Sequence, residues 1–238
     1  MTGGRGGTGL RLRPLPPAGR SVTALVSDRQ PEWIRTWCRS TGRVLRRAAV
    51  PGSGPVGPVV PELAARAARQ GSAVLLVREP TTGRAERRIV VAIRGLPEDA
   101  PVVEEAARCA ASLDARLEVV HAVPTSFAEK SVGLADSLDH GRTVLAQTGE
   151  YARRVVPGLE VDVRLVRARP HEVVGKRVDA DLLVLGGPRP GTDGALGLVA
   201  LSALHHAPCS VLLVPRGSRW DDPGNDFDDS GDVAEARP

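Results

Sequence analysis

A parallel α/β sheet covered by helices on both faces is the fold this chain predicts, and three observations predict it. From residue 88 onward, apolar runs of strand length alternate with stretches of helical periodicity. The runs are apolar at nearly every position, as expected of strands buried on both faces. Strands that alternate with helices call for right-handed crossovers, which place the helices on the two sides of one sheet. The expected architecture is a Rossmann-like parallel sheet of five strands, preceded by a shorter unit.

The elements follow in order. Residues 1–20 are rich in Gly, Pro and Arg and bury too little apolar surface to fold alone, so a disordered tail is expected. Val22–Val26 is strand-like, and Gln30–Arg39 reads as a helix with Pro31 near its start. Arg43–Val50 fits neither pattern cleanly. Pro61–Gln70 is an alanine-rich helix and Ala73–Val77 a strand, followed by a linker over 81–87.

The regular part opens with strand Ile89–Ile93. Pro101–Leu113 then sets Val102, Val103, Ala106, Ala107, Ala110 and Leu113 on one helical face, with Glu104, Glu105 and Arg108 opposite. Leu117–Val123 is the second strand, and a long helix spans roughly Gly133–Arg154. Val161–Val166 is the third strand and Pro170–Val178 a short helix. Leu182–Leu185 is the fourth strand, Asp193–His206 a helix, and Val211–Val214 the fifth strand. From Gly217 the chain turns acidic and rich in Pro, Gly and Asp, again an expected disordered tail. The expected units are therefore 21–80 and 88–216.

Composition narrows the function classes. Six aromatics leave Val, Leu and Ala to build the core of a chain that is 42% apolar. Thirty of the 32 basic residues are Arg, with Lys130 and Lys176 as the exceptions, a bias that reads as a GC-rich bacterial genome. The net charge of +4 divides into +4 over residues 1–20, −5 over 217–238 and about +5 for the body. No basic stripe with interleaved aromatics occurs, so nucleic acid is not an expected partner. Apolar runs fall far short of the ~18 residues needed to span a bilayer, and the opening residues hold no apolar core of a signal peptide. Cys38, Cys109 and Cys209 are few and far apart, which suits a reducing cytoplasm.

Asp179–Pro215 carries the most information. It reads as a buried strand, a glycine-rich turn, an apolar helix and a second buried strand, an arrangement that can seat a phosphate at a helix N-terminus. DADLLVLG followed by HAPCSVLLVP, with RRIVVAI, HAV and PHEVV before them, resembles the universal stress protein (UspA-like) family over residues 88–215. The resemblance implies an α/β domain that binds adenine nucleotide in some members and none in others. In the binding members an Asp at the end of the first strand reads adenine. Gly-x-x-Gly, nine residues, then Gly-Ser or Gly-Thr hold phosphate and ribose.

Transferred to this chain, that pattern is broken. The adenine Asp falls at Arg94 and the hydroxyl residue two positions on at Leu96. Gly186 matches the first glycine, Arg189 stands where the second belongs, and Gly197 matches the third, followed by Leu198 in place of Ser or Thr. The loop is about two residues short. A guanidinium offers donors where adenine's amine needs an acceptor. Gly187, Gly191 and Gly194 remain as candidate anion donors, and Arg94 or Arg189 as phosphate partners. The candidate binding residues are thus Arg94, Gly186, Gly187, Arg189, Gly191 and Gly197, with ATP as the one cofactor in view and no catalytic or metal set.

Other motifs are weaker. Gly52-Ser-Gly54-Pro-Val-Gly57 has dinucleotide spacing, but Pro55, Pro58 and Pro61 crowd the place where its helix would begin. His205 and His206 are neighbours on a helix and diverge. No HExxH, GxSxG or GxxxxGK[ST] occurs.

The helix and strand PELAARAARQGSAVLLV echo LSALHHAPCSVLLV, so residues 21–80 read as a truncated, degenerate copy of the following domain. The resemblance also implies that strand 211–214 is a pairing edge, either for self-association or for Ala73–Val77 in an internal pseudo-dimer. Three functions stay open: a non-catalytic regulatory or interaction protein with an eroded nucleotide site, its partner protein unknown; an adenine-nucleotide sensor using the Gly186–Gly197 loop; and a weak adenine-nucleotide hydrolase, for which Asp193 is the one acid in the loop and is explained more simply as a helix cap.

Overall fold

The computed structural model describes residues 21–26, 32–49, 59–69, 72–78, 86–124, 134–176, 178–188 and 195–216. The expectations for both tails, for the Gly52–Gly57 motif and for Arg189, Gly191 and Gly194 lie outside the described residues.

The shorter unit comprises β1 (Ser21–Val26), α1 (Glu32–Ser40), β2 (Val44–Ala49), α2 (Val59–Arg69) and β3 (Ala73–Leu76). The longer comprises β4 (Arg87–Ile93), α3 (Ala100–Ser112), β5 (Ala115–Ala122), α4 (Leu134–Val155), β6 (Val161–Val166), α5 (Pro170–Val173), β7 (Leu182–Gly186), α6 (Leu198–His206) and β8 (Ser210–Val214). All strands among the described residues join one sheet in the order β2-β1-β3-β8-β7-β4-β5-β6. The five strands β8-β7-β4-β5-β6 are parallel, as expected. β1 runs parallel to both β2 and β3, and the two blocks meet where β3 lies antiparallel to β8.

Three details differ from the sequence expectation. The ambiguous stretch at 43–50 is strand β2, launched from the turn at Gly42, whose φ of +63° suits a residue without Cβ. Its Arg46–Arg47 pair hides the period because it lies on an outer strand of the sheet. α5 ends at Val173, since Gly175 follows within two residues and has poor helix propensity. α6 begins at Leu198 rather than Asp193. Gly197, extended at φ −70° and ψ 163°, is its N-cap.

Helices cover both faces. On one, Ile34 and Trp37 of α1 pack in a single cluster with Val102, Val103, Ala106 and Ala110 of α3. On the other, Ala64 and Ala67 of α2 share a cluster with Ala203 and Leu204 of α6. Both strands at the junction of the two units, β3 and β8, are buried along their length. Each buried Leu or Val contributes about 1.5–3 kcal/mol through apolar area removed from water.

Candidate functional site

Because β4, β7 and β8 are parallel, their carboxyl ends emerge on one side of the sheet. There the chain runs from β4 through Arg94–Asp99 into α3, from β7 into Gly186–Gly187, and from β8 into Pro215–Arg216. The crevice outside such strand ends is where open α/β sheets collect ligands.

Asp99 organises the turn. Its side chain is 1% exposed, and Oδ2 accepts the backbone N–H of Arg94 at 2.6 Å and of Gly95 at 3.3 Å. Oδ1 pairs with Arg216 Nη2 at 2.7 Å. Asp99 is also the residue before α3, and its carbonyl accepts the N–H groups of Val102 and Val103. The carboxylate is therefore held by two backbone donors and one guanidinium.

Arg216 folds back from the end of β8 across Gly186. A Cβ at Gly186 would overlap the Nε, Cζ and Nη2 atoms of Arg216, so only glycine permits this approach. The Arg216 side chain is 17% exposed, and its Nε has no acceptor among the described residues. The guanidinium thus occupies the space directly above the first glycine of the family pattern.

Beside it lies a cavity of about 850 Å³, bounded by Arg94, Asp99, Arg216, His140, Val144 and Gln147 among others. His140 also borders a second recess of about 380 Å³ with His121 and Asp136. Burial lowers the pKa of His121, whose Nδ1 lies 3.3 Å from the Ile93 carbonyl oxygen. Among the described residues, no group of three or more His, Cys, Asp or Glu could hold a metal ion. Nor is any helix among them long and apolar enough to cross a membrane.

The sequence-predicted residues come together only in part. Arg94 is exposed on the cavity wall, and its backbone, rather than its guanidinium, contacts Asp99. Gly186 lies under Arg216. The N–H of Gly187 donates to Val214 O at 2.7 Å, so it is committed to the sheet ladder and not free for an anion. Gly197 caps α6, and Leu198, where the family pattern has a hydroxyl, is 65% exposed.

Two residues of the site escaped the sequence analysis: Asp99 and Arg216. Asp99 had a signal, an acid immediately before Ala100-Pro101 at a helix start. Arg216 had none, because its reach over Gly186 depends on β7 and β8 being neighbours.

The sequence model of the Universal stress protein family matches residues 86–215, more than half of the chain. The chain belongs to that family. A universal stress protein from Archaeoglobus fulgidus is 23% identical, with a TM-score of 0.45, over 55% of this chain and 98% of its own. A universal stress protein solved in complex with cAMP is 24% identical, with a TM-score of 0.46 and coverage of 55% and 98%. A candidate universal stress protein from Pseudomonas aeruginosa UCBPP-PA14 is 14% identical, with a TM-score of 0.51, and spans 84% of this chain and 94% of its own. That last likeness is one of fold, and it extends over the shorter unit as well. No functionally curated protein matches this chain.

Proposed function

We propose that the chain is a non-catalytic regulatory or interaction protein of the bacterial stress response, acting in the cytoplasm on a partner protein. The Gly186 end of its crevice is occupied by its own Arg216. One observation carries this reading: the Arg216 guanidinium lies over Gly186 and is anchored to Asp99. A phosphate approaching Gly186 would have to displace that ion pair, and the N–H of Gly187 would not receive it. The buried acid facing the crevice is held by two backbone donors and an ion pair with Arg216, and is poorly placed to act as a base.

The sheet order supports reading residues 21–80 as a truncated copy. From the junction outward the longer unit runs β8-β7-β4-β5-β6, whereas the shorter runs β3-β1-β2. If β3 corresponds to β8, β1 to β4 and β2 to β5, the shorter unit lacks the run α4-β6-α5-β7. The missing β7 equivalent is the strand that would carry the first glycine. The shorter unit then has no crevice of its own and serves as an internal pseudo-dimer partner covering β8.

The test is calorimetric titration of ATP with Mg²⁺ into nucleotide-free protein, at concentrations sensitive to Kd values up to ~1 mM, about −4 kcal/mol. A flat trace is expected. Saturable binding would favour the second reading, an adenine-nucleotide sensor, for which the 850 Å³ cavity beside Arg94 leaves room. In that case Arg94→Glu abolishes the binding.

A further inference from the structure

We infer that the chain carries its own occupant for the crevice. Residues 217–222 turn back from Arg216 and seat the Trp220 indole in the cavity beside Arg94, with Asp221 and Asp222 on the Arg94 guanidinium. The inference rests on the reading of a crevice without nucleotide and deepens it, because it names what takes the space that Arg216 leaves.

The cavity is of ligand size. Its volume of about 850 Å³ lies in the range of clefts that bury most of a small molecule. Arg216 covers only its Gly186 end. Leu96, Pro101 and Val144 give the wall an apolar part suited to the face of an aromatic ring, and Gln147 carries an amide oxygen able to accept an indole N–H. Arg94 is exposed on the same wall, and its guanidinium has no acid partner among the described residues. Glu98 borders the cavity too and forms no ion pair with it. Asp99 is already committed to Arg216.

The segment that leaves this place has matching chemistry. After Arg216 the sequence runs Gly217-Ser218-Arg219-Trp220-Asp221-Asp222. One large aromatic ring is thus flanked by a cation and two carboxylates, against a wall that offers an apolar surface, Glu98 and Arg94. Over residues 217–238 seven acids stand against Arg219 and Arg237, so the segment as a whole is drawn to a cation. Its origin is fixed, since Arg216 is itself a lining residue of the cavity and is anchored by Asp99. Trp220 lies four residues further on, a reach of roughly 13–14 Å. A tether this short holds the ring at an effective concentration on the order of millimolar, which any free ligand has to outcompete.

The experiment reads Trp220 in the full chain. Acrylamide quenching is measured for the wild type and for Trp220→Phe, and the difference separates Trp220 from Trp33 and Trp37 of α1. With an undocked population of about a tenth or less, Trp220 is expected to be quenched at least about tenfold less than in the urea-unfolded chain, at every protein concentration. Arg94→Glu is expected to raise the quenching about threefold, the effect of losing an exposed ion pair. Adding Asp221→Arg and Asp222→Arg to that variant should lower it again, because the pairing is restored with its signs exchanged. Arg94 is exposed, so these variants are expected to fold as the wild type does, which circular dichroism checks. A Trp220 as accessible as in the unfolded chain overturns the inference. So does shielding that Arg94→Glu leaves unchanged, which would put the ring elsewhere. Shielding that develops only as protein concentration rises overturns it as well, since the ring would then lie in a second copy. The calorimetric ATP titration fails or succeeds separately. Saturable ATP binding overturns the reading of a crevice without nucleotide, and it takes the tail inference with it only if Trp220 is unshielded before ATP is added.

Discussion

Arg216 and Asp99 hold one another at the end of β8 and the start of α3, and neither is indifferent to loss of the other. Arg216→Ala leaves a nearly fully buried carboxylate without its cation. Breaking a fully buried pair costs roughly 3–5 kcal/mol, and the partial exposure of Arg216 lowers the expectation to about 2–3 kcal/mol, readable as a shift in urea unfolding. Gly186→Ala pushes the guanidinium aside at a cost of about 1–3 kcal/mol, and most of that cost should vanish in the Arg216→Ala background. Additive losses would mean the two residues do not meet. The cysteines make a separate prediction. Burial raises the Cys38 and Cys209 thiols from 9.0 to about 11, and Cys109 moves in the same direction. Their folded values lie above the unfolded ones, so their contribution to stability is intact below pH 9 and is lost as pH rises from 9 toward 11. Each thiol adds up to ~1.4 kcal/mol of destabilisation per pH unit in that window. A urea midpoint that stays level between about pH 9 and 11 would contradict the burial of these thiols.

At the scale of elements, β3 matters most because it is short and joins the two units. It has four residues, all buried, with β1 on one side and β8 on the other. Leu75→Ala should cost about 2–5 kcal/mol in thermal or urea unfolding. Since Leu212 faces it directly, Leu212→Ala should cost a similar amount, and a large asymmetry would speak against the pseudo-two-fold at this pair. α3 joins the two regions of interest on one helix, with Asp99 at its N-terminus in the crevice and Glu105 under Arg43. The helix itself was legible because Val102, Val103, Ala106, Ala107 and Ala110 mark its buried face. Glu105 was not read as buried, since the alternation of face placed it with Glu104 and Arg108 on the outside. Only the docking of α1 and β2 onto that side covers it.

For the whole molecule, the described strands form one eight-stranded sheet, with β3 of the shorter unit paired to β8 of the longer. The shorter unit closes the edge the longer unit would otherwise expose. A protein of 25.0 kDa should accordingly sediment as a monomer at micromolar concentration, and a wild-type dimer would contradict the coverage of β8 by β3. The Arg216 guanidinium over Gly186 predicts a flat ATP titration on the same sample, so assembly and ligand state are tested independently.

The five parallel strands and their crossovers were legible because strands buried on both faces leave unbroken apolar runs such as Ile89–Ile93 and Leu182–Leu185, and because 3.6-residue periodicity lies between them. Family membership was legible for the same reason, its motifs being contiguous stretches of Asp179–Pro215. The departures at Arg94, Arg189 and Leu198 could also be counted directly. What fills the crevice could not. Arg216 and Asp99 are 117 positions apart and Arg43 and Glu105 are 62, and each pair meets only after strands distant in sequence have become neighbours. Periodicity records which side of an element is buried. The identity of the group buried against it is set by packing between elements, and that was decided by the tertiary structure alone.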